Sequence, residues 1–276
     1  MTPSVAGDSP MPTSSSTKRR VLVTGAAGNI GSYFAEHSFE RYALRLMVLE
    51  AELAQAEPLR RYGDVIAGDI TDLAQMRAAC QDIDTVIHLA ATPDPEATWD
   101  TLLPLNINGT YNTFTAAHEA GCRRVVFASS IHAVAAYQSD LQVKADEPVN
   151  PGNLYGVSKC FGEALGRYMA EQLGLSVIAL RIGAFQPRDR ARDPNTLEMM
   201  DSFVSRRDLN HLLQCCIDVE DLKFAILHGL SDNLFKRADI SNARALVGYA
   251  PQDDYFALNP LLADLHLRES RQQRTD

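Results

Sequence analysis

The chain has 276 residues, 46% of them hydrophobic and 22% charged, and a formal net charge of −9. That length buries a large core, as one domain or one domain with a small lobe, and the acidity gives nucleic acid or an anionic membrane no electrostatic hold. The five cysteines (Cys80, Cys122, Cys160, Cys215, Cys216) show no C-x-x-C spacing, which argues against a disulfide framework and a structural metal site; no apolar run is long enough to span a bilayer.

Residues 1–18, rich in Ser, Thr and Pro and without an apolar stretch, read as a disordered leader and not as a signal peptide. The chain then alternates short apolar runs with helical patterns. Strands are expected at 21–24, 44–49, 64–69, 85–90, 124–129 and 176–182. Helices are expected at 29–41, from Asp72 as N-cap, at 99–120 and at 154–173, with Gly121 and Gly174 as stops. The strands are β-branched and apolar throughout, as in a parallel sheet covered on both faces. Their alternation with helices implies right-handed crossovers and an α/β, doubly wound, Rossmann-type sheet over 19–183. After Gly183 the rhythm breaks: 184–208 reads as loop, and the remainder as two helices and a little strand. The stretch 184–276 is expected to be a small substrate cap and tail within the same structural unit. The chain is expected to be cytoplasmic, with reduced thiols.

The first strand runs directly into T-G-A-A-G-N-I-G, in which Gly25, Gly28 and Gly31 have G-x-x-G-x-x-G spacing around Ala27, Asn29 and Ile30. The first glycine allows a tight turn, the second lets backbone approach a pyrophosphate, and the third lets helix and strand pack closely. The helix start then offers free N–H groups to phosphate. Dinucleotide binding follows. Glu50, 19 residues past Gly31, stands where a carboxylate accepts from the ribose 2′-OH, which favours NAD over NADP. The alternative is that Glu50 merely opens a charged loop with Glu52 and Glu57. Asp69 and Ile70, at the end of the third strand, are placed to meet the adenine.

Tyr155 and Lys159 stand four residues apart on one helix face. A phenol is a poor base at neutral pH, and a neighbouring ammonium is expected to lower its pKa. Ser129 and Ser130 end the fifth strand, at the edge where open α/β sheets bind ligands, so one of their hydroxyls can hold a substrate oxygen beside Tyr155. His132 follows them, either near the substrate or as a structural imidazole.

Glycine turn, serine and Y-x-x-x-K, in that order, resemble the extended short-chain dehydrogenase/reductase family over roughly 19–250. H-L-A-A at 88–91 and N-I-N-G-T-Y-N at 106–112 share the likeness. The resemblance implies that Leu89, Ala90, Ala91, Asn106 and Ile182 lie on the cofactor side of the site, and that Thr92, Ser130, Ile131, His132, Ala184, Phe185 and Arg190 lie on the substrate side. Within the family, F-A-S-S-I-H, L-Y-G-V-S-K-C-F-G-E and L-R-I-G are most similar to uronate dehydrogenases and related NAD-dependent aldose 1-dehydrogenases. Those enzymes transfer hydride from the anomeric hydroxyl of a sugar to NAD, giving a lactone. Ile131, Ala184 and Glu198 stand where uronate dehydrogenases carry Asn, Ser and a carboxylate-binding Arg, so a uronate, a neutral aldose and a sugar phosphate all remain open, with Arg188, Arg190 or Arg192 as substitute clamps. The resemblance also implies pairing of helices 99–120 and 154–173 in a homodimer. The rival readings are a nucleotide-sugar epimerase or dehydratase, which needs a larger C-terminal lobe, and a non-catalytic NAD(P)-sensing regulator, which has no need of Tyr155 and Lys159.

Overall fold

A computed structural model describes residues 18–265; the expected leader lies outside the described residues except for Lys18. In chain order it contains β1 (Arg20–Thr24), α1 (Asn29–Ser38), β2 (Ala43–Val48), β3 (Asp64–Ala67), α2 (Leu73–Ala79), β4 (Thr85–His88), α3 (Trp99–Leu102), α4 (Gly109–Glu119), β5 (Arg124–Ser130), α5 (Leu154–Leu173) and β6 (Ser176–Ile182). There follow β7 (Ala184–Gln186), α6 (Arg188–Ala191), β8 (Phe203–Ser205), α7 (Arg206–Asp218), β9 (Phe224–Gly229), α8 (Ser241–Val247), α9 (Tyr255–Leu258) and α10 (Pro260–Ala263). The main sheet is parallel, in the order β3-β2-β1-β4-β5-β6-β9. This is the Rossmann-type α/β fold that the strand–helix alternation implied.

Both sheet faces are covered, which is why the strands are apolar on both sides. On one face Phe34 of α1 and Leu209, Leu212 and Leu213 of α7 pack with Val21, Val23 and Ile178. On the other, Met76 of α2, Phe114 of α4 and Met169 of α5 pack with Val86, Phe127 and Val177.

The structure departs from the sequence reading in two places. The expected helix over 99–120 is interrupted: Leu103–Asn108 winds as a π-turn in which the Gly109 N–H reaches back to the Pro104 carbonyl. Pro104 has no N–H to continue the α-helical ladder, and the wider turn resolves the mismatch. The consequence is functional, because the turn buries Asn106.

The second departure lies beyond Gly183. Part of the expected loop 184–208 is the two-stranded parallel ribbon β7–β8 with the single-turn α6 between its strands. Then α7 starts at a Ser205 cap whose Oγ accepts from the Asp208 N–H at 3.1 Å. It docks on the α1 end through Ser38 to Asn210 (3.2 Å) and Tyr42 to Asp218 (2.9 Å). Finally β9 pairs with β6, Arg181 beside His228. The sheet therefore does not end at Gly183; residues 206–229 supply its seventh strand and a covering helix. The small lobe is what remains, gathered around Ala191, Met199, Phe203, Tyr255 and Phe256. Among the described residues no helix is long and apolar enough to cross a membrane, no His/Cys/Asp/Glu cluster is suited to a metal, and the five thiols are free.

Candidate active site

The strand order reverses between β1 and β4, and open α/β sheets bind ligands at such a switch point. A cavity of about 470 Å³ lies there. Gly25 has φ +67°, and a Cβ on it would sit 2.9 Å from the Ala90 N; a Cβ on Gly31 would sit 2.6 Å from the Gly25 carbonyl oxygen. A side chain at either place meets backbone, which cannot yield cheaply. Gly28 caps α1 with its N–H on the Gly25 carbonyl (3.1 Å). The first intrahelical bond comes from Ser32, so the N–H groups of the first turn have no helical acceptor and suit an anion.

Gly25, Gly28, Asn29, Ile30, Gly31, Asp69, Ile70, Leu89, Ala90 and Ala91 all line this cavity. Ala27 lies in the turn, packed on the core. The Asp69 side chain accepts from the Thr71 N–H and hydroxyl, both at 2.8 Å, which shapes the turn after β3. Glu50 is exposed and does not line the cavity; Glu52 does, together with Val48 and Leu49. After β2 the chain winds into a one-turn 3₁₀ helix, Glu50–Glu52, whose Glu52 Oε2 accepts from the Leu49 N–H at 3.0 Å. Sequence reading also missed Met47, Gly68, Pro93 and Leu105, which complete the wall.

Asn106, Tyr155, Lys159 and Ile182 do not line that cavity; Tyr155 and Lys159 lie in the first turns of α5, Ile182 at the end of β6, and Asn106 in the π-turn before α4. The Asn106 side chain accepts from the Thr92 N–H (2.9 Å) and donates to the Thr92 carbonyl (3.1 Å) and Ser158 Oγ (3.0 Å), and Ser158 donates to the Tyr155 carbonyl (2.7 Å). The loop after β4 is thus tied to the helix carrying Tyr155. Asn153 caps α5 on the Gly156 N–H at 2.8 Å, and a Cβ on Gly156 would fall 2.3 Å from the His132 carbonyl oxygen. The helix start is pressed against the turn that follows Ser130.

Tyr155 and Lys159 are both buried, and Lys159 Nζ lies 5.5 Å from the Tyr155 ring centre and 5.3 Å from that of Phe127. Burial raises the Tyr155 pKa, and the Ser130 hydroxyl beside the phenol opposes that rise. Burial also brings Lys159 down to about 8. The ammonium expected to lower the phenol is itself weakened by desolvation, so burial governs both groups. An amine titrating near 8 beside a phenol is suited to passing a proton in either direction.

The two serines divide. Ser130 faces Tyr155 and its Oγ also accepts from the His132 N–H at 3.2 Å. Ser129 points into the fold, donating to Glu163 at 2.6 Å. The His132 ring stands edge-on to Tyr155 at 5.5 Å, its Nδ1 3.1 Å from the Asn153 amide nitrogen, and its pKa is lowered by burial and then by Arg237. Ile131 opens the short turn after β5, half-buried. Behind the cavity, the His88 imidazole bonds Thr24 (2.9 Å) and is held down to about 3 by burial.

On the substrate side, Phe185 lines the cavity and Ala184 packs on the small lobe. Arg190 is exposed and paired with Asp193 at 3.0 Å, and Arg192 is likewise paired with Asp189 at 3.0 Å. Neither lines the cavity, nor does Arg188. Glu198 is exposed. Arg188 differs: it meets the buried Asp253 Oδ1 at 3.1 Å, an oxygen it shares with Arg207 at 2.8 Å. Arg207 also lies 3.8 Å from the buried Asp208, so the two guanidinium groups face two carboxylates.

The model of the NAD dependent epimerase/dehydratase family matches residues 21–204. The chain is 38% identical to an NAD-dependent glucose-6-phosphate dehydrogenase of Haloferax volcanii, over 85% of this chain and 93% of that protein. It is 37% identical to an L-arabinose 1-dehydrogenase (NAD(P)(+)) of the same organism, over 85% and 97%. The crystal structure of a tyrosine variant of uronate dehydrogenase from Agrobacterium tumefaciens, complexed with NAD, is similar to it with a TM-score of 0.77 and 31% identity, covering 87% of each chain. The glycine turn, the Ser130–Tyr155–Lys159 cluster and these likenesses agree: the chain belongs to the NAD dependent epimerase/dehydratase family.

Proposed function

We propose that the chain is an NAD-dependent sugar dehydrogenase that oxidises the anomeric hydroxyl of an aldose, uronate or sugar phosphate to the lactone. The observation that carries this reading is the meeting of Ser130, Tyr155 and Lys159 beside a glycine-walled cavity at the sheet's switch point. The cavity fits a dinucleotide because the Gly25 and Gly31 positions leave no room for a Cβ where backbone must approach a diphosphate. NAD held by the Gly25–Gly31 turn would supply the acceptor for the hydride of the anomeric carbon. The hydroxyl proton passes to Tyr155, held by Ser130, with Lys159 as the adjoining proton carrier. Glu52, which lines the cavity while Glu50 is exposed and does not, is the group we assign to the ribose 2′-OH.

The substrate end is built largely from apolar walls, Pro93, Leu105 and Phe185. We assign the charge of an anionic sugar to Arg188, three residues beyond the cavity-lining Phe185, because Arg190 and Arg192 stand farther along the chain and pair with exposed or half-buried acids of their own turn. The likenesses to a glucose-6-phosphate and a uronate dehydrogenase support an anionic sugar, and that to an arabinose dehydrogenase a neutral one. The exposed Tyr111, Val157 and Tyr168 on α4 and α5 support a homodimer through those helices. Free thiols throughout suit the cytoplasm. The test is NADH formation, followed by absorbance, with D-glucose 6-phosphate, D-glucuronate, D-glucose and L-arabinose. Oxidation of at least one, with a lactone as first product, is expected; none oxidised refutes the reading.

A further inference from the structure

Three polar residues stand side by side on β5, β6 and β9: Ser129 pairs in register with Arg181, and Arg181 with His228. Neighbours in register point to the same sheet face. The preceding rung on that face, Phe127 beside Ala179 beside Ile226, is apolar. The helix α5 covers this face and sends Glu163 into the row. Ser129 Oγ donates to Glu163 Oε1 at 2.6 Å, and Arg181 donates through Nε and Nη2 to the two carboxylate oxygens, both at 2.9 Å. The Arg181 and Glu163 side chains are 1% and 3% exposed. His228 Nδ1 donates to the Asp239 carbonyl at 2.8 Å, and burial pushes its pKa down to about 4, so it joins the row neutral.

A buried ion pair adds little stability over apolar residues of the same size, because desolvation cancels much of the attraction. What this one does add is a fixed relation between two elements. Ser129 is the residue before Ser130 on β5, and Glu163 lies one turn beyond Lys159 and two beyond Tyr155 on the same stripe of α5. We propose that the Ser129–Glu163–Arg181 row is a positioning device that fastens the tip of β5 to α5 and so fixes the Ser130 hydroxyl against Tyr155. It rests on the catalytic reading given above. None of its three members touches the reacting atoms; all act through Ser130 and Tyr155.

The test uses the full-length protein and whichever of D-glucose 6-phosphate, D-glucuronate and L-arabinose it oxidises fastest. Ser129→Ala removes one hydroxyl and leaves the Arg181–Glu163 pair intact; Ser129→Cys keeps a weaker donor and carries the test should the alanine variant not fold. In Ser129→Ala, kcat should fall by about tenfold or more while KM for NAD stays within about twofold, as misplacement of a catalytic hydroxyl requires. The acid limb of the kcat–pH profile should move to higher pH, since the phenol loses the opposing effect of Ser130. Ser129→Cys should fall between wild type and alanine. A kcat in Ser129→Ala within about twofold of wild type, with Tyr155→Phe inactive, overturns the positioning role alone. Turnover surviving in Tyr155→Phe overturns the catalytic reading and the positioning role with it.

Discussion

Replacing Lys159 by methionine should stabilise the folded protein at neutral pH while abolishing turnover. The amine is fully enclosed, and burial alone lowers its pKa from 10.5 to about 8. A base with a depressed folded-state pKa destabilises the fold wherever it must be charged, so the cost is complete below about pH 8. It fades as pH rises towards 10.5, where the unfolded chain also loses its proton. A shift of that size corresponds to roughly 3 kcal/mol. The contacts of Nζ with the faces of Phe127 and Tyr155, at 5.3 and 5.5 Å, return part of it, on the order of 1 kcal/mol. Lys159→Met is thus expected to gain about 2 kcal/mol at pH 7, or roughly 4–8 °C in Tm for a domain of this size. Urea unfolding of both proteins in parallel from pH 7 to 10.5 should show the gain shrinking steadily towards zero. A methionine variant that is less stable at pH 7, or whose advantage does not change with pH, would refute the argument that desolvation sets the state of Lys159.

Three further outcomes follow from particular side chains. Glu52→Ala should cut the preference for NAD over NADP by about tenfold, the net worth of a charged hydrogen bond, whereas Glu50→Ala should leave it unchanged in steady-state kinetics with both cofactors; the opposite ranking would return the role to Glu50. With D-glucose 6-phosphate or D-glucuronate, Arg188→Ala should raise KM by tens-fold or more, as loss of a charge-assisted pair implies, and Arg190→Ala should change it little. Equal effects of the two would show that neither guanidinium meets the substrate. Light scattering at micromolar concentration should give twice the chain mass, and Tyr168→Glu on the exposed side of α5 should halve it; a wild-type monomer would exclude the dimer.

The sheet was legible because most of its strands are short, largely apolar runs buried on both faces, and the glycine turn because its three glycines follow a strand and open a helix, two of them, Gly25 and Gly31, where a Cβ would meet backbone. Tyr155 and Lys159 stood out through their helical spacing taken together with the glycine turn before them and the serines that end β5. Other features depend on the folded backbone. Glu50 and Glu52 are chemically alike, and only the single 3₁₀ turn after β2 decides which one lines the cavity. Ser129 and Ser130 are equally good hydroxyls in sequence, separated only by strand alternation and by Glu163, 34 residues away in the chain. The π-turn had a visible cause in Pro104, but a proline near a helix start does not announce whether the helix widens or breaks. The apolar run F-A-I-L at 224–227 carried a strand signal, yet its place at the sheet edge is fixed by pairing with β6, which no local pattern states.

The central claim is that Tyr155 exchanges the proton of a sugar hydroxyl oxidised at this site. It is tested most directly by Tyr155→Phe, assayed by NADH absorbance on the best substrate of the panel, with NAD affinity measured by calorimetry on the same preparation. The substitution removes one oxygen and keeps the ring that packs against His132 and Lys159. Turnover should fall by about a hundredfold or more, with the Kd for NAD within about twofold of wild type. Turnover within about tenfold of wild type, with NAD still bound, would contradict the account.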